Sequence, residues 1–185
     1  MPLDMDARHR RSIRLPGYDY ASDGAYFVTI VTKDRESLLA DIDGMAVCLT
    51  DIGKIVEEEW VRTAEVRAEV ELDAFVVMPN HVHGIVVIAG PTAVGAHGRA
   101  PLRQPEDGTT LVRRPRSLGA LVAGFKSACT TRINALRDHP GVPVWQRNYY
   151  DRIIRNEAEL NRTHRYILDN PAHWHEDPEN PAVSL

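Results

Sequence analysis

The pattern of hydrophobic and polar residues predicts four strands. Residues 24–32 combine β-branched and aromatic side chains and are apolar on both faces, which is typical of a central strand. Two further strands, at 70–77 and from residue 81 to residue 88, flank Pro79-Asn80, a turn sequence that predicts a β-hairpin. A shorter extended segment, rich in aromatic residues, follows at 144–154.

Three helices alternate with these strands. Apolar residues recur at helical spacing within 52–64, 118–136 and from residue 160 to about residue 170, where Pro171 ends the last helix. A residue that favours helix N-termini precedes each stretch, namely Thr50, Ser117 and Asn156.

The helical periods also predict which side chains are buried. The stripe of the second helix ends at Leu136, and Leu160, Ile167 and Leu168 mark the inner side of the third. Polar residues outside these stripes, the glutamates at 57–59 and Lys126, are expected to face solvent.

The order strand, helix, strand, strand, helix, strand, helix predicts an α+β fold. It fits the ferredoxin-like split βαβ arrangement, an antiparallel sheet with two helices on one face and an added C-terminal helix. Residues 1–23 form a basic N-terminal arm, 24–175 the domain, and 176–185 a tail expected to lie over the surface. Within the domain, residues 89–116 hold many Gly, Pro and Arg without a period, which predicts a long flexible loop.

Composition narrows the class of protein. A chain of 185 residues fits one domain, and no apolar run approaches the roughly 20 residues that cross a bilayer. No apolar stretch follows the N-terminal arginines as in a signal peptide, so a cytoplasmic protein is expected. Cys48 and Cys129 are too far apart in sequence to indicate a disulfide or a zinc site. A net charge of −4 argues against non-specific coating of nucleic acid.

Two histidines are the first candidate site residues. His81 and His83 share one face of a predicted strand, because successive side chains of a strand alternate. Two imidazoles on a rigid strand can form half of a metal site or a phosphate-contacting pair. The alternative is a surface strand end that carries two histidines by chance.

The last helix adds a second set of candidates. Thr163, Tyr166 and Asn170 recur at three- and four-residue spacing, so Tyr166 and Asn170 point the same way. If this helix packs near the hairpin, the carboxamide could join both imidazoles around a divalent ion, and the phenol could be a nucleophile. Alternatively, Tyr166 is an ordinary aromatic residue at the edge of the core.

Five sequence pieces resemble a known family. The pieces are Gly24-Ala-Tyr-Phe-Val-Thr, Met78-Pro-Asn-His-Val-His-Gly, Ser117-Leu-Gly with Phe125-Lys-Ser, Trp145-Gln-Arg-Asn-Tyr-Tyr-Asp and Tyr166-Ile-Leu-Asp-Asn-Pro171. In this order they are similar to the REP-associated tyrosine transposases, which are HUH single-strand DNA transposases with one catalytic tyrosine. The resemblance covers about residues 15 to 175. It implies Mg²⁺ or Mn²⁺ and cleavage of single-stranded DNA next to a hairpin through a 5′-phosphotyrosine link.

The resemblance also implies roles for individual residues. His81, His83 and Asn170 match the metal ligands, and Tyr166 matches the nucleophile. Tyr149 and Tyr150 compete less well, because they precede the helix and lack the Tyr-x-x-x-Asn spacing. The candidates for DNA contacts are basic residues: Arg8, Arg10, Arg11, Arg14, Arg113, Arg114, Arg116 and Lys126.

Other functions fit less of the sequence. A catalytically silent protein that binds hairpin DNA would not need the two histidines, Asn170 and Tyr166 together. A two-histidine phosphoesterase would want a second, symmetric histidine motif, and an RNA-binding domain would want an aromatic platform on a strand. The expected partner is single-stranded or hairpin DNA, with a nucleoid-associated location and no membrane. The oligomeric state stays open, with a homodimer as one alternative.

Overall fold

The computed structural model describes residues 18–89 and 116–183 of the chain. Its strands are β1 (Gly24–Val31), β2 (Ala40–Asp43), β3 (Ala46–Leu49), β4 (Val70–Val77), β5 (His81–Ile88) and β6 (Tyr150–Ile154). Its α-helices are α1 (Asp51–Val66), α2 (Leu118–Arg137) and α3 (Glu157–Asp169). Short 3₁₀ helices cover Lys33–Arg35, Asn170–Glu176 and Pro181–Val183.

Four strands form an antiparallel sheet in the order β4-β5-β1-β6. β4 and β5 are the predicted hairpin, and β1 lies between β5 and β6. Helices α1 and α2 connect strands that are not neighbours, as in a split βαβ unit. The predicted α+β, ferredoxin-like fold is therefore confirmed.

The main core lies between the sheet and helices α1 and α2. Alternate residues of β1, such as Val28 and Ile30, are fully buried there against Trp60 of α1 and Phe125 of α2. Gly84 of β5 faces the same side, and a Cβ at this position would lie 2.3 Å from Cζ2 of Trp60. The close approach of the indole to the strand thus requires a glycine.

Helix α3 covers the opposite face of the sheet. Its one buried hydrophobic residue, Ile167, packs against Phe27 of β1 and Ile85 of β5. Because His81 and His83 alternate in register with Ile85, they lie on this same face. The fold therefore places both histidines beside the last helix. This is the packing on which the candidate site in the sequence depended.

Four details of the fold were predicted incorrectly. No strand was predicted between residues 32 and 50, but this segment contains the hairpin β2–β3, with Gly44 at a φ of 61° in its turn. Glu59 is buried because Arg132 of α2 donates a hydrogen bond to its carboxylate. Leu136 and Leu168 are exposed, since Leu136 lies in the last turn of α2 and Leu168 is rotated by about 100° from Ile167.

Both ends of the described chain pack more closely than the sequence suggested. Tyr20, within the expected N-terminal arm, is buried in the main core. The expectation that the tail lies over the surface is wrong for Asp177, Glu179 and Asn180, which are all buried. Each of these polar residues makes hydrogen bonds that replace water. No helix in the described ranges is both long and apolar enough to span a membrane.

Candidate active site

The histidine pair of β5 is the centre of the candidate site. His81 is fully buried and His83 is 2% exposed, and they stand opposite Val31 and Thr29 of β1. Their Nε2 atoms are 3.0 Å apart. Ring nitrogens that converge in this way can bind one common proton or one common cation.

Each imidazole is held from behind through its second nitrogen. Nδ1 of His81 lies 2.9 Å from Oδ1 of Asn80, and Nδ1 of His83 lies 2.9 Å from the Thr29 hydroxyl. Such contacts fix ring orientation, as they do around metal-binding histidines. In the sequence, Asn80 is indicated only as a turn residue after Pro79, not as a candidate site residue.

Helix α3 brings Tyr166 to the histidines. Its hydroxyl lies 3.3 Å from Nε2 of His83, and the two rings meet edge to face with centroids 5.2 Å apart. Phe27 supports the phenol ring from the sheet, also edge to face. The phenol oxygen therefore faces the same small space as the converging ring nitrogens.

Asn170 and Asp177 complete the cluster. Asn170 follows the last residue of α3, is 5% exposed, and donates from Nδ2 to Oδ2 of Asp177 at 3.3 Å. Its Oδ1 is buried without a hydrogen-bond partner among the described residues. Oδ2 of Asp177 lies 3.9 Å from Nε2 of His81, and the ligand atoms of His81, His83 and Asp177 are all within 4.8 Å of one another.

Two comparisons show which known proteins this chain is similar to. An uncharacterized protein of Haemophilus influenzae is 37% identical over 172 residues, which cover 91% of this chain and 92% of that protein. The chain belongs to the same family as that protein. A second match is the structure of a REP-associated tyrosine transposase bound to a REP hairpin, which has 18% sequence identity to this chain and a TM-score of 0.57. The match covers 91% of this chain and 74% of the transposase chain.

This chain has the fold of the REP-associated tyrosine transposases. The resemblance inferred from the motifs is thus confirmed at the level of the fold. A candidate transposase from Deinococcus radiodurans covers 83% of this chain and 94% of that chain at 20% identity, with a TM-score of 0.42, which is too distant to support an inference. No family model matches the chain.

On this transposase fold, the clustered donors suit a divalent cation. Two imidazole nitrogens, a carboxylate and the unpaired amide oxygen of Asn170 are all established ligand types for such ions. The carboxylate would offset part of the ion's charge in a buried site. His81, His83 and Asp177 therefore fit the metal that the resemblance implies, with Asn170 beside them.

Asp177 is a site residue that the sequence pattern does not predict. It follows the 3₁₀ helix Asn170–Glu176 in a segment with no hydrophobic period. Nothing in its spacing connects it with His81, which precedes it by almost a hundred residues. The only available signal was an acidic residue close after the Tyr-x-x-x-Asn pair.

A surface cleft of about 350 Å³ opens beside Tyr166. Seven residues line it, three of which carry carboxylates: Tyr166, Asp169, Asn170, His173, Glu176, Asp177 and Pro178. Negative charge in the cleft would repel a phosphate unless a cation were bound nearby. The electrostatics of the cleft thus agree with the donor set of the cluster.

The two competing tyrosines lie in different places. Tyr149 packs against the main core, with Nζ of Lys126 5.9 Å from its ring centroid. Tyr150 pairs with Thr29 across the sheet and packs against Phe27, on the face that α3 covers. Tyr150 is therefore the closer alternative to Tyr166 as a nucleophile.

Of the residues expected to contact DNA, Lys126 and Arg116 lie within the described ranges. Lys126 is not the solvent-exposed lysine expected from the sequence, because its Nζ donates to the backbone oxygens of Gln146 and Asn148, both at 2.8 Å. Burial lowers the pKa of Lys126 to about 8. Arg116 is exposed just before α2. The remaining candidates lie outside the described residues, namely Arg8, Arg10, Arg11, Arg14, Arg113 and Arg114.

Proposed function

We propose that this chain is a metal-dependent endonuclease and strand transferase for single-stranded DNA, with Tyr166 as its nucleophile. Its substrate is a strand cut next to a hairpin, and its intermediate is a 5′-phosphotyrosine. The observation that carries the proposal is the position of the Tyr166 hydroxyl, 3.3 Å from His83 within a cluster of potential metal ligands.

In this proposal His81, His83 and Asp177 hold a divalent ion, Mg²⁺ or Mn²⁺, with Asn170 available as a further oxygen ligand. The bound ion would polarise a phosphate oxygen and stabilise the negative charge that develops on the phosphoryl group. Asn80 and Thr29 hold the two rings from behind, so that their nitrogens need little rearrangement.

Tyr166 supplies the nucleophile. A phenol has an ordinary pKa near 10, so it must lose its proton as it attacks at neutral pH. Its oxygen bonds to phosphorus, the bond from phosphorus to the 3′ oxygen breaks, and the departing strand takes a proton to become a free 3′-hydroxyl. Since one phosphoester replaces another, a 3′-hydroxyl can reverse the step without ATP.

The DNA partner is part of the proposal as well. The structural relative of 18% identity is bound to a REP hairpin, and the present chain shares its fold. The cleft beside Tyr166 is where a scissile phosphate would approach the phenol, and a flexible single strand can place one phosphate there more readily than a duplex can. Arg116 and the arginines outside the described residues would contact the backbone.

The test is formation of a covalent adduct. A single strand carrying a hairpin, labelled on the side 3′ of the cut, is incubated with the full chain and Mn²⁺ or Mg²⁺ and resolved under denaturing conditions. The wild-type chain should carry the label, and a chelator added before the DNA should prevent the adduct from forming. Tyr166→Phe should form no adduct, because only the attacking oxygen is removed.

Tyr150→Phe is the matched control, since this phenol packs against the same Phe27. It should form the adduct as the wild type does. An adduct that persists in Tyr166→Phe and disappears in Tyr150→Phe would reassign the nucleophile. Tight hairpin binding with no adduct under any metal condition would contradict catalysis and favour a silent DNA-binding protein.

A further inference from the structure

Asn80 is a fully buried side chain in the connection between β4 and β5. Its Nδ2 donates to the backbone oxygens of Arg35, at 3.1 Å, and Glu179, at 2.7 Å. A carbonyl oxygen can only accept a hydrogen bond, so the amino group must face these two oxygens. The orientation of the carboxamide is therefore fixed by its surroundings.

The fixed carboxamide determines the tautomer of His81. Oδ1 of Asn80 is an acceptor and lies 2.9 Å from Nδ1 of His81, so Nδ1 must carry the hydrogen. In the neutral ring the lone pair then belongs to Nε2. This is the atom that points toward His83 and lies 3.9 Å from Asp177.

His83 is held in a different way. Its Nδ1 contacts the hydroxyl of Thr29, which can donate or accept a hydrogen bond. His83 can therefore carry its hydrogen on Nε2 and donate to His81, or carry it on Nδ1 and free Nε2 for a cation. Only His81 is restricted to the tautomer that binds metal.

The same amide reaches the C-terminal segment. Glu179 accepts from Asn80 through its backbone oxygen, pairs with Nε of Arg35 through its carboxylate at 3.0 Å, and donates from its backbone nitrogen to Oδ1 of Asp177 at 2.7 Å. All of these groups except part of Arg35 are buried. Asn80 thus contacts both His81 and the short segment that presents Asp177.

We propose that Asn80 is a positioning residue that holds His81 as the Nδ1–H tautomer and seats residues 177–180, so that His81 and Asp177 are presented together to a divalent cation. The part that concerns the cation rests on the proposed function. Loss of an outer contact to a metal-binding histidine typically weakens metal affinity 10- to 100-fold. Asn80→Ala should weaken Mn²⁺ binding by a factor in this range.

The experiment reads the tautomer directly. Long-range ¹H–¹⁵N spectra of histidine-labelled protein, at a pH where the ring of His81 is neutral, distinguish Nδ1–H from Nε2–H. The wild type without metal should show His81 as Nδ1–H, and Asn80→Ala should lose this restriction. Asn80→Asp keeps an acceptor for Nδ1 and should retain the tautomer. Both variants lose the bond to Glu179, so amide exchange at Glu179 and Asn180 should speed up in both.

Asn134→Ala is the matched control. Asn134 is also a buried carboxamide that donates to a backbone oxygen, that of Val142, but it lies on α2 beyond the other sheet face. This variant should lose stability while the tautomer of His81 and the Mn²⁺ affinity stay as in the wild type. Calorimetric titration with Mn²⁺ alone measures the affinity of each variant.

The outcomes separate this proposal from the proposed function. An Nε2–H tautomer in the wild type, or an unchanged tautomer and unchanged Mn²⁺ affinity in Asn80→Ala, would overturn the role of Asn80. Tautomer and affinity changes as expected, in a chain that forms no DNA adduct, would support Asn80 and contradict the nuclease. A wild type that binds no Mn²⁺ would overturn the metal site and with it the joint presentation of His81 and Asp177.

Discussion

Replacing Lys126 by Met should change how stability depends on pH. The ammonium group donates to two backbone oxygens, and burial lowers its pKa from 10.5 to about 8. Below pH 8 the lysine is protonated in both the folded and the unfolded chain. Between pH 8 and 10.5 the unfolded chain binds the additional proton, so the free energy of unfolding rises with pH.

The magnitude follows from the difference in pKa. A difference of one pKa unit corresponds to about 1.4 kcal/mol. The titration of Lys126 should therefore raise the free energy of unfolding by roughly 3 kcal/mol in total, of which about 1 kcal/mol falls between pH 7 and 9. Cys129 acts in the opposite direction above its ordinary pKa of 9.0, because burial raises the pKa of its thiol. The difference between the wild type and Lys126→Met isolates the lysine from the thiol.

Urea denaturation at several pH values from 7 to 9 measures this difference. The chain has three lysines, and Lys54 is an exposed one on α1 that pairs with Asp51, so Lys54→Met serves as the control and should keep the wild-type slope. If Lys126→Met also keeps that slope, the buried ammonium does not titrate as inferred. The salt dependence of hairpin binding should be the same in Lys126→Met as in the wild type. Loss of a phosphate contact would instead lower the slope of log affinity against log salt concentration by about one.

Two further predictions concern packing and metal. Gly84→Ala should lower the free energy of unfolding by about 1–3 kcal/mol, because its Cβ would lie 2.3 Å from Trp60. Gly124→Ala should raise the free energy of unfolding by about 0.5–1 kcal/mol, because its Cβ would have no neighbour closer than 3.7 Å. Urea denaturation measures both changes, and a Gly84→Ala variant as stable as the wild type would refute the close contact. Mn²⁺ at about a hundred times its dissociation constant should add about 2.7 kcal/mol and raise Tm by roughly 5–10 °C, and Asp177→Ala should reduce this shift at the same concentration. A full shift in Asp177→Ala would exclude the carboxylate as a ligand.

The strands and helices of this fold were predictable where each carried its own period. α1, α2 and α3 show helical periods and begin after the expected capping residues, Thr50, Ser117 and Asn156. β5 buries both of its faces and shows no alternation, so it was predicted from its β-branched residues next to a turn sequence. The hairpin β2–β3 was missed because its four-residue strands bury only Ala40 and therefore show no apolar alternation. Periodicity identifies an element only when that element has a buried face long enough to repeat.

The candidate site was predictable to the extent that it lies on such elements. His81 and His83 share a strand face, and Tyr166 lies at a defined helical position, so their local geometry followed from alternation and helical spacing. Asp177 and Asn80 lie in irregular segments, and tertiary contacts alone determine their positions. The buried state of Glu59 was missed for the same reason, since its partner Arg132 belongs to another helix.

The chemistry of the site follows from bringing these separate segments together. In the cluster, Nε2 of His81 lies 3.0 Å from Nε2 of His83 and 3.9 Å from the carboxylate of Asp177, which accepts a hydrogen bond from the carboxamide of Asn170. The two ring nitrogens can share a proton, and in the proposed metal-bound state His81, His83 and Asp177 would be ligands that compensate the charge of the ion. The same ion would offset part of the negative charge of the three carboxylates that line the cleft beside Tyr166. The proposed cation would therefore account for the convergence of these acceptors beside a phenol, on a fold shared with a DNA transposase.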